Sequence, residues 1–301
     1  MQKVKKIFCG LYACFFAFLP GCAVEEPPDS RGDLGTLDVY VFDIGKADSI
    51  FITTENHTLL IDTGRNKDGD EIVDYIKEQG IEQLDYLVIT HFDKDHVGGA
   101  DQVIEELDVK EVIIPSYEKD SKQYGQFVKA MEEAALTPVI LTQVMTFTLD
   151  AAELTLYPSG VVSQKGSSEE DAENDLSIVT SVSHGSKDFL FAGDAMERRM
   201  QELLNNRDIM ALDYEFLKVP HHGRYHRNSE TFIRAIQPKY AVITCSQDDP
   251  PDDRVLNALA EVGAELYLTT EGAVSAESDG ETLTVTGNPI AEDDYGSAGS
   301  R

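Results

Sequence analysis

Apolar residues recur along this chain in short runs, each closed by polar or turn residues. Runs rich in Val, Ile, Thr and aromatic side chains predict strands over 37–42, 49–53 and 58–61, with Gly45 and Asn56 as turn residues between them. Ile72, Tyr75 and Ile76 recur at helical spacing and predict a helix over 71–78. A strand over 87–89 follows, then a helix over 100–107 with Val103 and Leu107 turned inward, and a strand over 112–114. The middle of the chain predicts a helix over 124–134 and strands over 139–141, 145–149, 154–157, 177–183 and 189–192. The last third predicts helices over 196–204, 230–236 and 255–262, and strands over 216–219, 240–244, 266–269, 273–275 and 283–285. Antiparallel strands are expected to dominate the start and end of each half. Two sheets sandwiched between helices satisfy this order, an α/β fold class. The polar stretch 160–171 carries no element and is of the kind that borders active sites.

The first residues follow another pattern. Lys3, Lys5 and Lys6 precede an almost wholly apolar run over 7–19, too short to span a bilayer comfortably, so residues 1–22 read as a signal peptide. Leu19-Pro20-Gly21-Cys22 is similar to the bacterial lipoprotein cleavage box, which would leave a lipidated Cys22 holding the protein to the membrane outside the cytoplasm. Leu11-Tyr12-Ala13-Cys14 is a competing match. Residues 23–36 read as a flexible tether, 37–287 as one folded domain and 288–301 as a disordered acidic tail. On cleavage at Cys22, Cys9 and Cys14 would leave with the signal, so no disulfide framework is expected and stability would rest on a core and on metal. Cys245 follows an apolar run and reads as a small buried hydrophobe.

Charge narrows the partners. Lys and Arg number 25 against 55 Asp and Glu, a formal charge of −30, and loss of the signal lysines makes the chain more acidic still. Such a field repels polyanions at long range, and tight non-specific nucleic-acid binding needs clustered Lys and Arg.

The chemistry is concentrated in Thr90-His91-Phe92-Asp93-Lys94-Asp95-His96-Val97-Gly98-Gly99. Two imidazoles and two carboxylates, His91, Asp93, Asp95 and His96, crowd into six residues straight after an apolar strand. Imidazole nitrogen and carboxylate oxygen are the usual protein ligands of catalytic divalent metals. Other apolar runs also end in polar groups: Asp43 and Asp48, Asp62, Asp194, and the pair His221-His222. A single Asp after a strand is ordinarily a cap or turn residue. Several of them together with histidines point to a cleft where strand ends meet. His184, in Ser183-His184-Gly185-Ser186, reads instead as part of a hairpin turn.

Taken in order, six segments resemble the motifs of the metallo-β-lactamase superfamily, and within it the ComEC-type branch. They are Phe42-Asp43-Ile44-Gly45-Lys46-Ala47-Asp48, Leu60-Ile61-Asp62-Thr63-Gly64, the His91 to His96 cluster, residues 174–177, Gly193-Asp194, and Lys218-Val219-Pro220-His221-His222-Gly223. The resemblance covers about residues 37–286 and implies a four-layer αββα sandwich with a metal site at one edge. It implies that His91 and Asp93 bind one divalent metal, Asp95 and His96 a second, and that Asp194 bridges. His221 or His222 would complete the second site, and Asn174 stands near the place of a further histidine in most members. Asp62 is expected to hold the loop by hydrogen bonds, and Asp48 to do the same or to reach the metal's water. Asp93 takes the place of a second histidine, so the first site is oxygen-rich, and Zn²⁺ or Mn²⁺ is expected as the pair of divalent metals. Three carboxylates also balance two dications.

The reaction expected of such a centre is metal-assisted hydrolysis, in which a metal-held water ionises near neutral pH and attacks carbon or phosphorus. Asp95, Lys218 and Asn174 are the residues expected to act in the reaction, Lys218 either neutralising the developing oxyanion or facing solvent. The branch suggests a small or polymeric phosphoester substrate, with nucleic acid as a substrate and not as a tight ligand. A carbon ester, lactone or lactam is the alternative substrate, and a non-catalytic, metal-stabilised surface lipoprotein the alternative class. Arg224 and Arg227 stand where the branch has serines, to grip a phosphate or to pair with the acidic surface. Pro250-Pro251-Asp252-Asp253 occupies the region where the branch often has a His-Pro pair.

Overall fold

Alternation along the strands builds the architecture seen in the computed structural model, which describes residues 34–161 and 173–290. The expected signal peptide with Cys22, most of the tether, most of the polar stretch after Gly160 and the tail from 291 lie outside the described residues. The first part of the chain gives β1 (Leu37–Val41), β2 (Ile50–Thr53), β3 (Thr58–Ile61), α1 (Gly69–Glu78), β4 (Gln83–Val88), α2 (Ala100–Glu106), β5 (Asp108–Pro115), α3 (Lys122–Glu133) and β6 (Val139–Leu141). The second part gives β7 (Met145–Leu149), β8 (Ala152–Tyr157), β9 (Val179–His184), β10 (Lys187–Phe191), α4 (Glu197–Asn205), β11 (Tyr214–Lys218), α5 (Ser229–Ile236), β12 (Tyr240–Ile243), α6 (Asp253–Glu261), β13 (Glu265–Leu268), β14 (Val274–Ser278) and β15 (Leu283–Thr286). The Ser121 hydroxyl accepts the Tyr124 N–H at 3.2 Å, which starts α3 two residues before the apolar periodicity does.

The strands form an eight-stranded sheet in the order β15-β14-β1-β2-β3-β4-β5-β6 and a seven-stranded sheet in the order β13-β12-β11-β10-β9-β8-β7. The expectation of antiparallel ends holds for β1 to β3, for β7 to β10 and for the β14–β15 hairpin. It fails for β3 to β6 and β10 to β13, which pair in parallel. Each of those links carries a helix, and a helical crossover returns the chain in the same direction.

Three separate apolar layers divide four layers of secondary structure. Leu37, Val39 and Val41 of β1 meet Phe189 and Phe191 of β10 between the sheets. On the outer face of the first sheet, Leu60 and Leu87 pack under Ile72, Val103 and Phe127 of α1 to α3. On the outer face of the second, Leu190, Leu217 and Ala241 pack under Met200, Phe232 and Leu256 of α4 to α6. The order of layers is therefore αββα. Cys245 is fully buried in the last of these clusters, and burial pushes its thiol up to about 11, so it is inert. Beyond β15, the Ile290 N–H donates to the Leu266 carbonyl at 2.8 Å.

Parallel strands end on the same side. The segments that leave β3, β4, β10, β11 and β12 therefore gather at one edge of the sandwich, the usual place for a site in α/β sheets.

Candidate metal centre

Backbone strain gathers at this edge. Asp62, the first residue after β3, has φ 58°, and the adjacent His221 and His222 have φ 47° and 53°. These are three of the six non-glycine residues with positive φ among the described residues. Each such residue costs about 1–2 kcal/mol and persists where its surroundings over-determine it. The loop after β4 is held by close approach. A Cβ on Gly98 would stand 2.3 Å from the Lys94 carbonyl and one on Gly99 2.4 Å from the Thr63 carbonyl, so only glycine fits. Thr63 donates both its N–H (2.7 Å) and its hydroxyl (2.9 Å) to the His96 carbonyl.

Hydrogen bonds then fix three imidazoles in one tautomer. His96 Nδ1 lies 2.8 Å from Asp62 Oδ2, an acceptor only, so Nδ1 carries the proton. His222 Nδ1 lies 3.0 Å from the Thr244 carbonyl and donates for the same reason. His91 Nδ1 lies 3.1 Å from Thr90 Oγ1, whose own proton goes to Asp62 Oδ2 at 2.7 Å, so His91 is again the donor. All three Nε2 atoms are left with a lone pair, and all three are buried without a hydrogen-bond partner. Orientation of a ligand histidine through its other nitrogen is the usual support of a metal site.

These lone pairs converge on a carboxylate. Asp194 Oδ2 lies 3.3 Å from His96 Nε2, 3.4 Å from His222 Nε2, 3.8 Å from His221 Nε2 and 3.9 Å from His91 Nε2. Asp194 Oδ1 is buried and unpartnered too. Acceptors facing acceptors in a buried space repel unless a cation or a proton lies between them. The residues therefore fit divalent metal. Among the described residues three sets of donor atoms lie within coordination reach of one another: His91, His96 and Asp194; Asp95, His96 and His222; and Asp48, Asp62 and His96, in which the His96 Nδ1 is already committed to Asp62. Asp93 Oδ2 faces His91 Nε2 at 3.8 Å and Asp95 Oδ2 faces His222 Nε2 at 3.7 Å. The sequence leaves His221 and His222 as alternatives; His222 belongs to one of the donor sets and His221 to none among the described residues. His221 Nε2 still faces Asp194 at 3.8 Å, its Nδ1 lying 2.8 Å from His226 Nε2 with the two rings stacked.

The electrostatics follow the same arrangement. Burial pushes the His91 imidazole below its usual value, and His96 adds to this. For His96 burial works downward as well, but the carboxylates of Asp194 and Asp62 outweigh it and hold the imidazole well above its usual value. Burial opposes ionisation of Asp194, yet His222, His96 and His221 hold it well below the carboxylate range. Burial takes His221 down to about 4.

The remaining expected residues take particular places. Asp62 holds the loop by accepting from Thr90 N–H at 2.8 Å, from the Thr90 hydroxyl and from His96. Asp48 is buried behind the histidines, accepting from the Thr244 hydroxyl at 2.5 Å and paired with Lys218. The sequence left Lys218 at an oxyanion or in solvent, and it lies in neither place. It follows Phe216 by two residues on the inner face of β11, is fully buried, and reaches the centre only through Asp48. Asn174 is buried with its Oδ1 unpartnered, and its carbonyl accepts from the Ser177 hydroxyl, which in turn accepts the Asp194 N–H. Arg227 pairs with Glu197 at 3.6 Å, whereas Arg224 lines the cleft beside His221. His184 ends β9 and contacts Ser278 and Leu34, not the site.

Three residues of the site escape the sequence reading. Thr244 braces both His222 and Asp48, and His226 holds His221. Lys119 bridges Asp93 and Glu173 at the mouth, beside a cleft of about 550 Å³. Each is a lone polar residue in an ordinary context, and no local pattern singles it out.

Comparison with known proteins agrees with this geometry. The sequence pattern of the family described as "Metallo-beta-lactamase superfamily" matches residues 43–246. The chain is 28% identical over 256 residues to ComE operon protein 3 of Bacillus subtilis strain 168, covering 78% of this chain and 32% of that protein. It is 28% identical over 220 residues to Recombination protein 2 of Haemophilus influenzae, covering 71% of this chain and 25% of that protein. The chain thus matches about a third or less of these relatives' length. Among solved structures, the metallo-beta-lactamase fold protein YhfI from Bacillus subtilis superposes with a TM-score of 0.51 at 13% identity, covering 84% of this chain and all of that one.

Proposed function

Because the chain belongs to the metallo-β-lactamase superfamily and resembles its ComEC-type members, we propose that it hydrolyses phosphodiesters with the help of two divalent ions. The family and the His/Asp cluster support a metal-dependent hydrolase. The phosphodiester is the finer reading, and one observation carries it. In a chain of net charge −30, the cleft beside the centre gathers Lys46, Lys94, Lys119 and Arg224, and of the five carboxylates in its lining Asp93, Asp95 and Asp194 belong to the proposed metal ligands. Cations gathered against the prevailing sign of a protein mark the place of an anionic substrate.

His91, Asp93 and Asp194 would hold one ion, and Asp95, His96, His222 and Asp194 the other. Zn²⁺ and Mn²⁺ both suit this mixture of nitrogen and oxygen donors. Bound divalent ions supply an activated water near neutral pH and stabilise negative charge that develops on phosphorus-bound oxygen. The protein's own part is orientation. Asp62, Thr90 and Thr244 keep the proton on Nδ1 of the three histidines, and Lys119 keeps Asp93 turned with one oxygen inward. The cations of the cleft would hold the substrate's phosphate oxygens toward the centre. No helix among the described residues is long and apolar enough to cross a membrane. The membrane link we propose is the lipid on Cys22, with the domain outside the cytoplasm.

The test is turnover of bis-p-nitrophenyl phosphate, single-stranded DNA and nitrocefin by protein loaded with Zn²⁺ or Mn²⁺, beside Asp194→Asn. Hydrolysis of the two phosphodiesters is expected, with metal and turnover lost together in Asp194→Asn. Hydrolysis of nitrocefin alone would sink the phosphodiester reading and favour a carbon-centred substrate.

A further inference from the structure

Resting on the phosphodiesterase reading, we propose that Arg224 and Lys94 form a subsite for a second phosphate, next to the one being hydrolysed. The substrate is then an oligomeric phosphodiester and not an isolated one.

The four cations of the cleft are not equivalent. Lys119 is committed to Asp93 and Glu173. Lys46 is committed to Asp249 at 2.7 Å. Lys94 is exposed, and neither it nor Arg224 has a carboxylate within 4.0 Å among the described residues. Both line the cleft, and both are anchored by the centre itself. Lys94 sits between Asp93 and Asp95 on the segment that follows β4 of the first sheet. Arg224 directly follows His221-His222-Gly223 on the side of the second sheet, its N–H donating to the His221 carbonyl at 2.8 Å. Each therefore has a fixed backbone and a charged end with no carboxylate partner among the described residues, one from each sheet.

The charge of the cleft agrees. Two dications would offset Asp93, Asp95 and Asp194. Asp120 and Glu173 are then the acidic side chains left in the lining, against four cations. The neighbouring cleft on the other side of Lys46 and Arg224 is lined by Asp249, Asp252 and Asp253 and would repel the same phosphate. Arg227 supplies the contrast, since it carries the same charge three residues on but is paired with Glu197. A guanidinium presents two parallel N–H donors to phosphate oxygens, which a carbon ester or lactam of equal size would leave unused.

The test compares the metal-loaded full chain with Arg224→Gln, Lys94→Gln and the control Arg227→Gln. Substrates are bis-p-nitrophenyl phosphate, which has one phosphate, and a short thymidine oligonucleotide. Metal content is measured alongside, so that a lost subsite is told apart from a lost centre. The ratio of kcat/KM for the oligonucleotide to that for bis-p-nitrophenyl phosphate should fall about tenfold in Arg224→Gln, through KM, the loss expected of one charge-assisted hydrogen bond. Lys94→Gln should lower the ratio in the same direction, and Arg227→Gln should keep it. An unchanged ratio in Arg224→Gln, or an equal fall in Arg227→Gln, overturns the subsite while leaving the phosphodiesterase. If the parent protein turns over neither substrate, the phosphodiesterase reading fails. Fluorescence anisotropy with labelled oligonucleotide then decides the subsite alone: binding that depends on Arg224 keeps it, and absent or Arg224-independent binding removes it.

Discussion

In the absence of metal, a proton is the natural substitute between His96 Nε2 and the Asp194 carboxylate, which explains why His96 is held well above its usual value despite its burial. The sign follows from linkage. A histidine raised on folding contributes stability that is fully present below about 6.5, its unfolded value, and is lost as pH rises through the folded value. Metal must displace that proton, so apparent metal affinity should rise with pH up to the raised folded value of His96 and level off beyond it. Calorimetry in two buffers of different ionisation heat should register proton release on binding, and binding without release would contradict the proton placed between His96 Nε2 and Asp194. Asp62→Asn should weaken metal binding about 10–100-fold while leaving the far-ultraviolet circular dichroism unchanged, as read by chelator competition. The sequence displays His91 to His96 openly, because four candidate ligands of two types stand within six residues. Thr244 and Lys119 stay hidden, because their partners His222 and Asp93 lie 22 and 26 residues away along the chain.

At the level of elements, the pair of Lys218 on β11 and Asp48 between β1 and β2 joins the two sheets behind the centre. Both side chains are buried, so removing one charge strands the other. Lys218→Met should cost about 3–5 kcal/mol, and the double variant Asp48→Asn with Lys218→Met should recover much of that, measured by urea denaturation. An equal loss in the single and double variants would mean that packing, not charge, is what Lys218 contributes. Gly98→Ala should cost about 1–3 kcal/mol by overpacking against the Lys94 carbonyl and should lower metal occupancy with it. The elements themselves were legible, since alternation and helical spacing are local properties. The parallel pairing of β10 to β13 was not, because it depends on where each crossover returns the chain. Nor was the burial of Lys218, since nothing near it in sequence reveals Asp48, 170 residues earlier.

For the whole molecule, the charge of −30 and the cationic cleft act at different ranges. The overall field reaches out roughly one Debye length, about 10 Å at 0.1 M salt, while contacts inside the cleft are screened less. Raising salt from about 0.01 M toward 0.1 M should therefore increase kcat/KM for an oligonucleotide and leave that for an uncharged ester flat. A steady fall from the lowest salt would show that the cleft's own attraction dominates even at long range.

The return of β14 to the edge of β1 has a consequence for how the chain comes into being. Strand β1 cannot be covered on that side until residue 278 is available, although its other neighbour, β2, ends at Thr53. The centre likewise draws on His91, Asp194 and His222, so no early fragment contains it. Synthesis runs from the N-terminus, so β1 is made long before its partner β14. On the export route proposed above, this delay suits a polypeptide that must remain open during passage across a membrane. On that proposal, closure of the sandwich and uptake of metal would fall together, on the far side.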